Sequence, residues 1–148
     1  ERTARMILYL DTSALVKLFV VEAHSDRVRQ AISRARLIAT HAIAYVEACA
    51  TFARVAHARG DDALFPALRR NLDIQWAAWE ILNVTEPLIR RAADLAGRYR
   101  LRGYDGVHLA AAESAFEVFR NHVPFHFAVF DGQLSDAAKQ AGIPLLEA

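Results

Sequence analysis

The chain has 148 residues, a formal net charge of +1 and 54% hydrophobic residues. A chain of this length forms one domain with its own core, and its near-neutral charge does not by itself indicate a nucleic-acid-binding protein. The single cysteine, Cys49, rules out an internal disulfide and a cysteine-based zinc cluster. No apolar run approaches the roughly 20 residues that span a bilayer, and no signal peptide precedes the first apolar segment. We therefore expect one cytoplasmic domain over residues 1–148, in which residues 1–5 are an expression remnant or a disordered leader before Met6.

Short apolar runs alternate with helical patterns along the chain. The predicted strands cover residues 7–10, 37–40, 79–84 and 125–130, with a weaker strand at 144–146. The predicted helices cover residues 12–20, 25–35, 43–59, 63–77, 86–99, 104–119 and 133–140. The strands lack a clear alternation of polar and apolar residues, which is typical of a parallel sheet covered by helices on both faces. The order of elements therefore predicts an α/β sandwich.

Two of the predicted strands end on an aspartate that a helical pattern follows. Asp11 comes after the first strand, and Asp131 comes after the fourth. In open α/β sheets, ligands bind at the carboxyl ends of the strands, so both carboxylates are expected at one edge of the sheet. Asp11 also has two purely structural explanations, because it is placed to cap the helix that begins at Thr12 or to end a strand at the surface.

Two further acids stand out from their local pattern. Glu47 lies in a helix that is otherwise almost free of acids, and Asp105 opens a helix, where capping or the helix dipole is an equally good explanation. Four convergent carboxylates without basic partners would repel one another unless divalent cations supplied the missing charge. Oxygen ligands of this kind suit Mg²⁺ or Mn²⁺, which also bind substrate phosphate oxygens. The pattern therefore favours a metal site that acts on a phosphodiester.

Four segments contain these acids: YLDTSALVKLF, HAIAYVEACATFARV, LRGYDGVHLAAA and FAVFDGQLSDAAKQAGIPLL. Together they resemble PIN-domain ribonucleases, and most closely the VapC type of toxin from bacterial toxin–antitoxin pairs. The resemblance extends from Met6 to Ala148. It implies a three-layer α/β/α fold with a central, mostly parallel sheet. It also implies an endoribonuclease, dependent on Mg²⁺ or Mn²⁺, in which water attacks an RNA phosphodiester and leaves a 5′-phosphate.

The resemblance assigns the catalytic positions to Asp11, Glu47, Asp105 and Asp131. The three aspartates would bind one or two ions directly, whereas Glu47 would bind through a water or orient the attacking water. Ser13 is a supporting residue that would hold a water bound to the ion. The resemblance supports such a role less well for Thr12.

The chain departs from the family pattern around the last of these aspartates. Many relatives carry threonine or serine two residues before it, where this chain has Val129. Gly132 and Gln133 replace the basic residues that commonly follow it, so fewer RNA contacts are expected on that side.

Sixteen of the 18 basic residues are arginine, which suits phosphate contact but also fits the residue usage of a GC-rich genome. The densest basic stretch contains Arg98, Arg100 and Arg102 and lies just before Asp105, so these three arginines are candidate RNA-binding residues. His108 lies one helical turn after Asp105 and is within reach of the site, although we interpret it as an imidazole that packs or caps inside the fold. Trp76 and Trp79 are interpreted as core residues.

The resemblance also implies partners, namely an RNA substrate, a VapB-like antitoxin and a second copy of the chain in a homodimer. The antitoxin tail would lie over the acidic groove and place an arginine among the carboxylates instead of the metal. One alternative is a catalytically inactive PIN-fold module that binds RNA or protein. Another is a phosphatase of the haloacid-dehalogenase type, which normally needs an aspartate where this chain has Ser13.

Overall fold

The computed structural model describes residues 5–147. Within them, the strands are β1 (Met6–Leu10), β2 (Ala35–His41), β3 (Glu80–Leu82) and β4 (Phe125–Ala128). The helices are α1 (Thr12–Val16), α2 (Ser25–Arg34), α3 (Ile43–Arg59), α4 (Leu64–Trp76), α5 (Glu86–Tyr99), α6 (Gly103–Phe119) and α7 (Gly132–Gln140). The interpretation of residues 1–5 as a leader falls outside the described residues, except at Arg5.

The strands form one sheet in the order β3-β2-β1-β4, and every pairing is parallel. β1 is central, and all five of its residues are buried. Leu8 aligns with Ile38 of β2 on one side and with His126 of β4 on the other. Because neighbouring parallel strands end at the same edge, the segments after β1 and β4 meet there.

Helices cover both faces of the sheet, as the alternation of β1 side chains requires. Ile7 and Tyr9 belong to an apolar cluster with residues of α5, α6 and α7, whereas Leu8 and Leu10 belong to a second cluster with residues of α1 to α4. The three-layer α/β/α architecture with a parallel sheet is therefore confirmed. Trp79 is buried in the second cluster.

Several predicted bounds differ from the observed ones for local reasons. α1 ends at Val16 instead of residue 20, because the amides of Lys17, Leu18 and Phe19 bond to carbonyls three residues back and tighten the last turn. The predicted strand at 144–146 contributes a single bridge between Phe127 and Leu145. β3 covers three residues instead of six. Within residues 5–147, no helix is both long and apolar enough to cross a membrane.

Candidate active site

Asp11 follows the end of β1 and caps α1, so the capping explanation and the place at the sheet edge both hold, whereas the explanation that it ends a strand at the surface is wrong because the residue is buried. Its Oδ1 accepts a hydrogen bond from the Ala14 amide at 2.9 Å and another from the Ser13 hydroxyl at 2.7 Å. The residue is 4% exposed. Burial raises the pKa of Asp11 to about 6, in spite of His108 and these two hydrogen bonds, and the nearby charge of Asp105 adds to the increase.

Glu47 points from α3 towards the residue that follows Asp11. Its Oε1 accepts a hydrogen bond from the Thr12 hydroxyl and lies 3.1 Å from Nε2 of His108. Burial would raise the pKa of Glu47, but the hydrogen bonds from His108 and Thr12 outweigh burial and hold the pKa below its ordinary value. Glu47 is therefore ionised and fixed in orientation at neutral pH.

His108 is buried beneath Glu47 and is fixed from its other side by Tyr9. The Tyr9 hydroxyl lies 3.0 Å from Nδ1 of His108, and burial raises the pKa of Tyr9 well above its ordinary value. Tyr9 therefore keeps its proton. The two ring nitrogens thus contact Tyr9 on one side and Glu47 on the other, so the orientation of the imidazole is fixed from both sides. Both explanations of His108 hold, because it packs inside the fold and also touches a site residue.

Asp105 and Asp131 are joined by one arginine. Nε of Arg102 donates to Oδ2 of Asp105, and Nη2 of the same guanidinium donates to Oδ2 of Asp131, each at 3.1 Å. Asp131 also caps α7 through the Leu134 amide. The expectation that these carboxylates lack basic partners is wrong, since Arg102, three residues before Asp105, supplies one.

The two parts of the acidic cluster adjoin each other at the ends of β1 and β4. The Phe130 amide, next to Asp131, lies 3.4 Å from the Ser13 hydroxyl, which in turn donates to Asp11. In the described part of the chain, however, no three His, Cys, Asp or Glu side chains lie close enough together to hold a metal ion. The structure thus brings the four predicted acids to one edge of the sheet, with Arg102 among them.

The three candidate RNA-binding arginines separate into two groups. Arg98 and Arg100 line a groove of about 300 Å³ between the end of α5 and α7, together with Gln133 and Asp136. Gln133 donates to the Arg100 carbonyl at 2.7 Å, so one of the residues that replace the family's basic positions has a structural role. Of the three arginines, Arg102 is the one that forms ion pairs with the site acids in residues 5–147.

Two neighbouring grooves meet at the exposed ring of Tyr104, next to Asp105. One groove, of about 330 Å³, is lined by Thr12, Glu47 and Arg54 among others. The other groove, of about 430 Å³, is apolar and runs between α5 and α6. Sequence reasoning did not identify Tyr104 or Arg54 as neighbours of the site, although the position of Tyr104 beside Asp105 was an available signal.

Gly106 sets the position of Asp105 through the contact between α5 and α6. A Cβ at Gly106 would lie 2.8 Å from the Ala92 carbonyl oxygen and 3.0 Å from Cβ of Ala96. Since real Cβ atoms do not approach a backbone oxygen this closely, only glycine allows α6 to pack here without displacement. The sequence Asp105–Gly106 therefore places a site residue beside a close contact between α5 and α6.

The PIN domain family model matches residues 8–119. Ribonuclease VapC46 of Mycobacterium tuberculosis is 32% identical over 143 residues, which cover 94% of this chain and 95% of the relative. The region that the family model matches contains all of β1 to α6 except Met6 and Ile7 of β1.

Solved structures show the same fold at lower identity. The crystal structure of Mycobacterium tuberculosis VapC20, described as a sarcin–ricin loop cleaving toxin, has a TM-score of 0.63 and 17% identity over 88% of this chain and 94% of that one. A toxin–antitoxin complex from Klebsiella pneumoniae has a TM-score of 0.59 and 15% identity over 82% of this chain and 84% of that one.

Proposed function

Since the chain belongs to the PIN-domain family, we propose that it is a metal-dependent endoribonuclease toxin that a cognate antitoxin neutralises. The observation that carries this proposal is the gathering of four acids at the carboxyl edge of the sheet, namely Asp11, Glu47, Asp105 and Asp131. Support also comes from the relative named a ribonuclease, which matches 94% of the chain. The cytoplasmic location predicted from the sequence is part of the same proposal.

The donor set fits a hard divalent ion by its chemistry, because carboxylate oxygens are the ligands that Mg²⁺ and Mn²⁺ prefer. Asp11, Asp105 and Asp131 would hold the ion directly and Glu47 would hold it through water, which requires these side chains to come closer together than they lie in the described conformation. A bound ion supplies Lewis-acid activation of water and neutralises charge on the phosphate. In the described conformation the Arg102 guanidinium donates to one oxygen of Asp105 and to one oxygen of Asp131.

Glu47 is the residue best placed to orient the attacking water. Its Oε1 is occupied by Thr12 and His108, and it lines the polar groove beside Tyr104. An ionised carboxylate held on one oxygen offers its other oxygen to a water proton. His108 and Thr12 act as positioning residues in this proposal. In the net reaction the water oxygen bonds to phosphorus, the bond from phosphorus to the ribose 3′-oxygen breaks, and a proton from the water ends on that 3′-oxygen, so that the phosphate remains on the 5′ side of the next nucleotide.

The partners in this proposal are an RNA substrate, a VapB-like antitoxin and a second copy of the chain. The similarity to a Klebsiella pneumoniae chain solved in a toxin–antitoxin complex supports the antitoxin partner. Arg98 and Arg100 line a groove near Asp131 and would contact RNA phosphates as bidentate donors.

An RNA digest tests the proposed activity. Wild-type protein and Asp105→Asn are incubated with total RNA in Mg²⁺, in Mn²⁺ and in EDTA, and the cut ends are sequenced after ligation that requires a 5′-phosphate. We expect cuts with 5′-phosphate ends only for the wild type with metal. If RNA remains intact in every reaction, the catalytically inactive PIN-fold module is the better description. Hydrolysis of small phosphate monoesters without RNA cleavage would instead favour the phosphatase.

A further inference from the structure

Arg102 holds a position that a cation would take. Its guanidinium joins the carboxylates of Asp105 and Asp131 with two N–O distances of 3.1 Å. The Arg102 side chain is 77% exposed, whereas those of Asp105 and Asp131 are 16% and 30% exposed. A positive group from the solvent side thus covers two less exposed acids.

Its two ion pairs are the main interactions that hold the Arg102 side chain in this position. Its backbone supplies the N-cap of α6 in an extended conformation, and its side chain makes no capping hydrogen bond. Exposed ion pairs contribute little free energy each, because water and salt screen them and the long side chain loses rotamer freedom. The guanidinium is therefore able to leave, and the apolar groove beside Tyr104, which Arg102 also lines, provides space next to its present position.

We propose that Arg102 is a built-in competitor of the metal ion, which neutralises Asp105 and Asp131 in the metal-free protein and must be displaced when a divalent cation binds. This inference rests on the proposed function, because it takes these two aspartates as metal ligands. It adds that the chain lowers its own metal affinity by means of one of its own side chains. A simple structural role for Arg102 makes the opposite prediction, since without Arg102 the two carboxylates would separate and bind metal less well.

Titration with Mn²⁺ alone, in a calorimeter and without RNA, distinguishes the two roles. The variants are Arg102→Ala, Arg102→Lys and the matched control Arg100→Ala, which removes the same charge two residues away. Within residues 5–147, Arg100 forms no ion pair with Asp105 or Asp131. Its loss therefore changes only the long-range electrostatic potential at these two carboxylates. Lysine keeps the charge but lacks the planar guanidinium group, whose separate N–H groups donate to two carboxylates at once.

We expect Arg102→Ala to bind Mn²⁺ about tenfold more tightly than the wild type, since it removes two exposed ion pairs that the metal otherwise has to break. Arg102→Lys should lie between the two, and Arg100→Ala should stay within about twofold of the wild type. In EDTA, Arg102→Ala should melt at a lower temperature than the wild type, and saturating Mn²⁺ should remove or reverse that difference.

Unchanged or weaker Mn²⁺ binding by Arg102→Ala would overturn the competition. An equal gain in Arg100→Ala would also overturn it, because the effect would then come from net charge. If neither the wild type nor Arg102→Ala binds Mn²⁺, the metal-dependent function fails together with the inference. If the wild type cleaves RNA with metal but Arg102→Ala binds Mn²⁺ no better, only the inference fails.

Discussion

The four acids are held in two different ways. Asp11 and Glu47, here called the network-bound pair, take their hydrogen bonds from groups fixed by the fold, including the Ala14 amide and the buried ring of His108. Asp105 and Asp131, here called the arginine-bound pair, share the exposed guanidinium of Arg102. The fold thus determines the positions of the first pair, whereas an exposed side chain joins the second pair, in which Asp131 is also held by the Leu134 amide.

The two pairs therefore have different roles. The network-bound pair is preorganised by the fold, whereas Arg102 regulates the access of a ligand to the arginine-bound pair. Burial of Asp11 costs stability, as its pKa of about 6 indicates, while Glu47 is kept ionised by its partners. Changes in the network-bound pair should therefore alter stability as well as chemistry. Changes in the arginine-bound pair should alter ligand binding and activity with smaller effects on folding.

The largest effect is expected from Asp105→Asn. Asparagine keeps the shape of the side chain but removes the negative charge, so RNA cleavage in Mg²⁺ should fall by about 100-fold or more, a loss of about 2.7 kcal/mol or more of transition-state stabilisation. The melting temperature should change little, because Asp105 contributes one ion pair with an exposed arginine. Asp94→Asn on the exposed side of α5 is the matched control. Retention of more than a tenth of the wild-type rate would remove Asp105 from the metal ligands.

Asp11→Asn should stabilise the metal-free protein in a manner that depends on pH. A carboxyl whose pKa is raised from 3.8 to about 6 binds its proton more tightly when folded, so wild-type stability falls as the pH rises from 4 to 6. Above pH 7 the full penalty applies, and the variant should exceed the wild type by about 3 kcal/mol in urea denaturation with EDTA, since one pKa unit corresponds to about 1.4 kcal/mol. Near pH 4 the gain should disappear. A variant less stable than the wild type at pH 7.5 would make Asp11 mainly a helix cap.

Gly106→Ala tests how the helix contact positions the arginine-bound pair. The added Cβ would collide with the Ala92 carbonyl, so the free energy of unfolding should fall by about 1–3 kcal/mol. Gly97→Ala is the matched control, because nothing lies within 4 Å of its added Cβ. That control should gain up to about 1 kcal/mol from helix propensity. Equal effects at both glycines would mean that α5 and α6 move apart at no cost.

The smallest effect is expected for the salt dependence of RNA binding in EDTA. Each phosphate contact on a single strand contributes about 0.7 to the slope of log affinity against log salt concentration. Arg98→Ala and Arg100→Ala should each lower the slope by about that amount, whereas Arg102→Ala should change it less, since its charge is already paired. Unchanged slopes for the first two variants would mean that Arg98 and Arg100 do not contact RNA, and that the residue usage of a GC-rich genome explains their presence.

The sequence predicted the parts of the site that depend on topology. Asp11 and Asp131 follow apolar strands, and parallel pairing brings such strand ends to one edge whatever the side chains do. The bridge made by Arg102 was not predicted, because an exposed rotamer depends on tertiary neighbours. The contact of Tyr9 with His108 requires the register between β1 and α6, which has no local signal. Likewise, the end of α1 at Val16 depends on a tightened turn that the apolar pattern does not encode.

A crystal grown with Mn²⁺ and measured at the manganese absorption edge tests most directly whether the two pairs form one cation site. We predict an anomalous peak in contact with carboxylates of both pairs, including Asp11 and Asp105, and we predict that the Arg102 guanidinium has left Asp105 and Asp131. A map without a manganese peak at these acids, with Arg102 still joined to both aspartates at saturating Mn²⁺, would contradict the shared site.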